Sequence, residues 1–515
     1  MVHQALKTYV KDGEIISLRD YQKHSISLLA QSVRQKNRSP LLVISTGSGK
    51  TRTAAAICQR AIEKSNRVLF ITPRRGLTFQ ASQDFDDLGI ENGIIMSGVE
   101  HDNRHMVEVA SMDTIISRLS RNCLTGALLG VEAADILIID EAHLSVSDKR
   151  KQFLLDALDG KYGDGKIVIG LTASPCVNGG GGLGAVYDDL LVPITMQELI
   201  NKGYLTKPRY FAAEKPDLSQ VKIAAGDYKK NELSDAFMGE AIMGDVLKNW
   251  IRIAENTITV VFTPTRATAA ELVDRFNYAG YVAEYVDANT PDNERKKMFD
   301  RLGSGKTKII CNVGIIGLGI DIPTIETVVM ATATKSVAKW MQAVGRAMRV
   351  SDNKEYATVI DHGGMCIDPK IGGVETITAW TLEEKSKIQD RNLQEKKDRK
   401  EPMEIVCVKC KTVFKARRDC PACGHEMKTK RQKLKVYQAD LKEVKAKKML
   451  NLDKPGKQRL WNECLYKASH LGMKVGAAAH MYRKQTKVWP AGLEKVPKGK
   501  SQWNMTASGF LDSCR

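Results

Sequence analysis

Two successive doubly wound α/β domains, a small four-cysteine unit and a basic, mainly helical tail are what this 515-residue sequence predicts. Three observations lead there. Short runs of branched apolar residues alternate with helix-periodic stretches, twice over, as buried parallel strands separated by helices do. Two Cys-x-x-Cys pairs stand close together after the second set. The charge is uneven: residues 1–380 carry 45 Lys+Arg and 45 Asp+Glu, whereas residues 381–515 carry 33 and 15, which is the whole formal net charge of +18.

Composition sets the bounds. At roughly 150 residues per domain the length predicts about three domains. With 43% hydrophobic residues the chain can build cores, which excludes a wholly disordered polymer. No run approaches about 20 apolar residues, so no membrane-spanning helix is expected. The N-terminal residues lack the apolar stretch of a secretory signal. Seven of the eleven cysteines are scattered, which reads as a reduced, cytoplasmic protein rather than a disulfide framework.

The first domain is placed at residues 1–205. Its strands are Leu41-Leu42-Val43-Ile44, Val68-Leu69-Phe70-Ile71, Ile136-Leu137-Ile138-Ile139 and Ile167-Val168-Ile169-Gly170. Ser45-Thr46-Gly47-Ser48-Gly49-Lys50-Thr51 follows the first strand and opens a helical stretch from Thr53 to Lys64. Glycines let the backbone curl so that successive N–H groups face phosphate oxygens, and the helix start adds favourable partial charge. Lys50 would reach the β and γ phosphates and Thr51 would ligate Mg²⁺. The strict pattern has Gly where this chain has Ile44. Strand-before and helix-after carry the assignment instead.

Two look-alikes fail that context. Gly303-Ser304-Gly305-Lys306-Thr307 follows a helix and precedes a strand, so it is expected to be a turn. Gly179-Gly180-Gly181-Gly182-Leu183-Gly184 joins no strand directly to a helix, so it is expected to be a flexible loop, not a dinucleotide site. The run ending Asp140-Glu141-Ala142-His143 is a buried strand closing on two carboxylates. Asp140 is placed to hold Mg²⁺ and Glu141 to orient the attacking water. Alone, such a pair is an ordinary strand end; a phosphate loop upstream changes the reading.

Residues 206–254 read as a connection with some helix. Residues 255–380 repeat the α/β scheme, with strands at 258–262, 309–311, 327–330 and 358–360 and a helix from Ala267 to Tyr278. Residues 381–404 form a charged helical linker. Residues 405–428 hold Cys407, Cys410, Cys420 and Cys423, with nine residues between the pairs. Four thiolates from two tight turns close a tetrahedral Zn²⁺ site. Lys409, Arg417 and Arg418 beside them suit phosphate contact. Residues 429–515 are basic with interleaved Trp461, Tyr466, Tyr482, Trp489 and Trp503. These suit either base stacking or a small core.

Taken in order over about residues 18–361, these motifs resemble the superfamily 2 helicases and translocases, whose cores are two RecA-like domains. Arg19, Tyr21 and Gln22 look like the adenine-reading element. Thr72-Pro73-Arg74 and Ser111-Met112-Asp113-Thr114 resemble strand-tracking motifs. Asp140-Glu141-Ala142-His143 matches the DEAH box, and Thr172-Ala173-Ser174 the motif that couples hydrolysis to domain movement. Val261-Phe262-Thr263, the 317–323 segment and the run from Gln342 to Arg349 resemble the second-domain motifs. The resemblance implies ATP and Mg²⁺ as cofactors. It gives catalytic roles to Lys50, Asp140, Glu141, His143, Gln342, Arg346 and Arg349. Nucleotide contact falls to Arg19, Gln22, Thr46, Gly47, Ser48, Gly49, Lys50, Thr51, Gly319 and Asp321. Nucleic-acid contact falls to Pro73, Arg74, Ser111 and Thr172.

Residues 192–205, the cysteine unit and the basic tail are also similar to XPB-like enzymes and to the bacterial RadD-like repair helicases. That layout implies a DNA-dependent ATPase acting on single-stranded, forked or branched DNA, in contact with single-strand-binding protein or a recombinase and with no membrane partner. Thr172-Ala173-Ser174 and Gln342 differ from the Ser-Ala-Thr and His usual in DEAD-box RNA helicases, which favours DNA. An RNA helicase, a recombination-accessory ATPase without strand separation, and the motor subunit of a restriction system stay open.

Overall fold

The computed structural model describes residues 9–11, 14–16, 18–99, 104–119, 126–212, 218, 221–224, 226–237, 240–314, 322–351, 354–398 and 404–427, and then 457–458, 460–462, 464–465, 478–479 and 482. Two compact units result, Met1–Thr429 and Lys430–Arg515. The first contains two all-parallel sheets. One has seven strands in the order Asn92–Ile95, Val107–Ser111, Val68–Thr72, Ile136–Ile139, Ile167–Thr172, Pro40–Val43 and Asp189–Leu191. The other has six: Pro208–Ala212, Ala357–Asp361, Thr327–Met330, Thr259–Phe262, Ile309–Val313 and Ala283–Asp287.

Why the strands read as unbroken apolar runs is visible in the packing. Side chains alternate between faces along a strand, and here both faces are covered. Leu42, Phe70, Ile138 and Ile169 enter one core, and Leu41, Leu69, Leu137 and Val168 enter the core on the opposite face. In the second lobe Val260, Ile310, Val328 and Val359 alternate in the same way with Val261, Cys311, Val329 and Ile360. Among the described residues no helix is long and apolar enough to cross a membrane.

The second lobe starts earlier than its sequence suggests. Pro208–Ala212 pairs in parallel with Ala357–Asp361 at the sheet edge. Its polar Arg209 points out of an otherwise apolar strand, and that interruption hid it. The connection continues through helices Lys230–Phe237 and Glu240–Ala254. The 303–307 look-alike is a turn: helix Asp292–Gly303 ends there, Gly305 takes φ +73° and strand Ile309–Val313 follows.

The glycine-rich loop at 179–184 is not a free flexible loop. The chain leaving the second lobe, residues 381–389, lies along it as a strap. Gly182 N–H donates to Glu383 O at 2.9 Å, Gly184 N–H to Leu382 O at 2.8 Å, and Ile388 N–H to Gly180 O at 2.8 Å. Leu382 packs against the first lobe's core, while Ile388 is buried in the second's. Glycine is required by this approach, since a Cβ at Gly182 would lie 2.3 Å from Thr381 O and 2.4 Å from Leu382 C, both backbone atoms. Gly182→Val should therefore displace the strap, at a cost of about 1–3 kcal/mol. The checks are a lower thermal midpoint and faster proteolysis within 381–398; an unchanged pattern contradicts the strap.

Beyond the strap, helix Ile388–Asp398 precedes a two-stranded hairpin, Glu404–Val406 with Val413–Lys415. The hairpin leans on the exposed edge of the second sheet through an antiparallel bridge, Phe211 to Thr412, and through Ala212 N–H donating to Lys411 O at 3.2 Å. Sheet edges are commonly covered in this manner. In the second unit, Trp461 meets Tyr482 edge-on at 5.9 Å, beside Cys464, Leu465 and Ala478. For Trp461 and Tyr482 this is a small core; Tyr466, Trp489 and Trp503 lie outside the described residues.

Candidate nucleotide site and the cleft beside it

Strand Pro40–Val43 delivers the phosphate loop to the ends of the strands, inside the first sheet rather than at its side, and helix Lys50–Ile62 begins at the loop's last residues. Gly47 and Gly49 both take φ +81°, the left-handed region in which only glycine is unstrained. The loop backbone is braced from below. Tyr21 Oη donates to Ser48 O at 2.6 Å, and Gln22 Nε2 to Gly49 O at 3.3 Å. Gln22 Oε1 in turn accepts from Arg19 N at 2.9 Å.

The neighbouring strand Ile136–Ile139 ends on Asp140 and Glu141. Glu141 sits at φ +47°, which costs a non-glycine residue about 1–2 kcal/mol. Such strain persists where the surroundings fix the residue. Here Lys50 Nζ fixes it: the ammonium is 2.7 Å from Asp140 Oδ1 and bonds Glu141 Oε1 as well. Burial alone would lower the Lys50 pKa, but the two carboxylates overcome it and raise it. Burial pushes the Glu141 carboxyl up, but Lys50, His143 and Arg346 together overcome it and hold it below the usual carboxylate range. Asp140 shifts the other way, its burial outweighing Lys50. His143 is pushed down by burial against the pull of Glu141, with the Lys50 charge adding to the downward shift. Its Nδ1 lies 3.0 Å from Thr172 Oγ1 and 3.4 Å from Glu141 Oε2.

The second lobe closes the pocket. Helix Val337–Ala347 brings Gln342, whose Nε2 donates to Glu141 Oε2 at 3.4 Å. Arg346 adds its positive charge to the pull on Glu141. The approach is tight: a Cβ on Gly345 would meet Thr46 Cβ at 2.8 Å, and one on Gly47 would meet Arg349 Cγ at 3.2 Å. The cavity so formed measures about 380 Å³. Its lining joins Arg19, Thr46, Lys50, Thr51, Asp140 and Glu141 to Gln342, Arg346 and Arg349. Loop N–H groups, a lysine, a hydroxyl and two carboxylates fit a nucleotide triphosphate with its divalent cation.

On the far side of Glu141 lies a second cavity of about 340 Å³. Pro73, Arg74 and His143 line it from the first lobe, and Asp227, Lys230 and Lys339 from the second. Arg74 is exposed there. Ser111 and Thr172 do not present themselves to a strand. Ser111 is only 4% exposed, and Thr172 is fully buried, its hydroxyl engaged with His143 and Ser174. A hydroxyl in a motif reads the same in sequence whether it faces solvent or the interior. Gly319 and Asp321 lie outside the described residues.

Tyr204 carried no role in the sequence reading, yet its ring lines the nucleotide cavity and lies under the Arg19 guanidinium, 4.5 Å from ring centre to Cζ. The signal was available. Helix Met196–Asn201 has a Thr195–Glu198 capping box and ends before Gly203 at φ +73°, which turns Tyr204 back.

The four thiols converge. Cys407 Sγ and Cys423 Sγ are 3.6 Å apart, as are Cys410 and Cys420, and all four lie within 4.8 Å of one another. Sulfurs about 2.3 Å from a shared zinc stand at this spacing. Both turns share one geometry. Lys411 N–H donates to Cys407 O and Gly424 N–H to Cys420 O, each at 2.9 Å, and both donors have positive φ. Lys409, Arg417 and Arg418 are exposed, with Arg418 paired to Glu426 at 3.1 Å.

Residues 15–176 match the family model "Type III restriction enzyme, res subunit", and residues 243–351 match "Helicase conserved C-terminal domain". The chain carries a superfamily 2 helicase core. It is 28% identical over 319 residues to a "51.5 kDa protein" of a Lactococcus phage, across 61% of this chain and 64% of the relative. It is 28% identical over 365 residues to the "Putative ATP-dependent helicase IRC3" of Saccharomyces cerevisiae, across 67% of this chain and 51% of the relative. The chain thus spans between about half and just under two thirds of these relatives. A fragment structure of a "putative HsdR subunit of a type I restriction enzyme" from Vibrio vulnificus matches the helicase fold with a TM-score of 0.52. Its identity is 21%, covering 69% of this chain and 66% of that one.

Proposed function

We propose that this helicase core is an ATP-dependent motor on DNA, coupling hydrolysis to movement along DNA or to its remodelling. One observation carries the reading: the nucleotide cavity is completed only when both lobes contribute, Lys50, Thr51, Asp140 and Glu141 from one, Gln342, Arg346 and Arg349 from the other. Thr51 and Asp140 would hold a Mg²⁺, which would supply charge neutralisation at the phosphates. Lys50 exchanges its carboxylate partners for the phosphates, and Glu141, ionised and released, orients and polarises the attacking water. Arg346 and Arg349 stabilise the transferring phosphoryl group, a contribution of about 10³–10⁵ in rate for such arginines. Turnover therefore requires closure, and reopening moves one lobe against the other. The second cavity, with Arg74, Lys230 and Lys339, is the route by which a strand touches both lobes. The four-thiol unit holds a structural Zn²⁺ and presents Lys409 and Arg417 to phosphates. The basic residues after 381 add sequence-independent affinity.

DNA is favoured over RNA by Thr172-Ala173-Ser174, by Gln342 and by the restriction-enzyme relatives. Repair of forked or branched DNA is the setting that the RadD-like layout supports, with single-strand-binding protein or a recombinase as partner. A motor subunit of a restriction system is the second reading, favoured by the first-lobe family model. ATPase rate measured against single-stranded, duplex and forked DNA and against RNA tests this. Stimulation by DNA, highest on forks, is expected, together with displacement of a labelled strand. Stimulation by long duplex without displacement selects the restriction-type motor. RNA as the best activator overturns the proposal.

A further inference from the structure

Three adjacent strands of the first sheet, Val107–Ser111, Val68–Thr72 and Ile136–Ile139, end in segments to which different roles fall. The first runs straight into helix Met112–Leu119, whose first turn holds Asp113, and the second into the short turn at Pro73 and Arg74; both are strand-tracking segments. The third continues as Asp140 to Leu144, which includes the two hydrolytic carboxylates, Asp140 and Glu141. One side chain joins all three. Arg150, in helix Asp148–Leu158, donates from Nη2 to Asp113 Oδ1 at 2.7 Å and, more weakly, to Pro73 O at 3.5 Å; its Nη1 donates to Leu144 O at 3.1 Å. The chain of contacts runs on. Leu144 follows His143, which meets Thr172 at the end of the next strand.

We infer that Arg150 is a positioning residue that transmits nucleic-acid occupancy of the Pro73 turn and of the Asp113 helix start to the Glu141 turn. The physical grounds are the geometry of the fork and its surroundings. A guanidinium offers donors in a fixed plane, so displacing the Asp113 or Pro73 acceptor rotates the plane that also holds Leu144 O. Arg150 is 21% exposed and Asp113 68%, so a strand passing this helix start and the Pro73 turn meets the acidic end of the link directly. Glu141 stands in a left-handed turn three residues before Leu144, where a small shift of the anchor re-aims its carboxylate. The contact touches neither the nucleotide cavity nor its lining.

The inference rests on the DNA-motor reading, and its test separates the two. ATP turnover of wild type, Arg150→Ala and Arg150→Lys is measured without nucleic acid and across a DNA titration, alongside thermal midpoints. Expected are basal turnover within twofold of wild type in both variants, an unchanged KM for ATP, and a maximal DNA stimulation at least fivefold lower in Arg150→Ala. Arg150→Lys keeps the charge but not the fork, and should recover only part. Full stimulation in Arg150→Ala overturns the inference and leaves the motor reading standing. Equal loss of basal and stimulated rates, with a lowered midpoint, also overturns it, since that is a structural role. Wild-type turnover that no nucleic acid stimulates overturns the motor reading and this inference with it.

Discussion

Glu141→Gln should reduce ATP turnover by about 10²–10⁴-fold, the usual contribution of a positioned general base, while nucleotide still binds. The substitution is nearly isosteric and removes the negative charge that Lys50 and the Arg346 field hold ionised. Lys50 keeps Asp140, 2.7 Å away, so no buried charge is stranded and the fold survives. Lys50→Ala differs in kind. It leaves Asp140 and Glu141 adjacent, 15% and 19% exposed and without their shared cation, a change whose upper bound is the cost of breaking a fully buried pair, about 3–5 kcal/mol. Turnover and nucleotide binding should then fall together, and so should the thermal midpoint. Steady-state hydrolysis beside a fluorescent-nucleotide titration makes the distinction. Hydrolysis at the wild-type rate in Glu141→Gln removes Glu141 from the mechanism.

What the sequence disclosed follows from what each element buries. Strands such as Ile136–Ile139 have cores on both faces, so their letters are apolar throughout and stand out. Val107–Ser111 is equally interior but carries Glu108, 4% exposed, as its second residue, which breaks the apolar run that would mark it as a strand. Ala283–Asp287 mixes Glu284 and Tyr285 into a strand in the same way. The phosphate loop and acidic box were legible because contiguous residues build them. Features made by distant segments were not: the strap on Gly180 to Gly184 joins positions about 200 apart, and nothing in a run of glycines says that backbone from elsewhere fills the space. Thr172 shows the converse, a motif residue whose type was right for contact and whose burial was not.

Removing metal from the four-thiol unit should have the next largest effect, and the reason lies in how little else holds that unit. Its hairpin has three residues per strand, below what is independently stable in water. Of its thiols Cys407 and Cys420 are buried while Cys410 and Cys423 are partly exposed, so a chelator has access. Structural zinc supplies about 10–16 kcal/mol in small zinc-finger peptides at pH 7, enough to be the folding energy of such a hairpin. Cys407→Ser with Cys410→Ser should therefore lower the zinc content from about one per chain to none, and expose residues 404–427 to protease. A second consequence comes from the docking of Thr412 on Phe211. Without the hairpin the strand Pro208–Ala212 becomes an uncovered parallel-sheet edge, and uncovered edges recruit other chains. The double variant should then aggregate at concentrations where wild type is monodisperse in light scattering, while freshly prepared protein keeps its basal ATP turnover, because no cysteine of the unit lines the nucleotide cavity. Wild-type protein purified without chelator and free of zinc would remove the metal from this account; an aggregation-free variant with an unprotected hairpin would keep the metal and discard the edge-capping role.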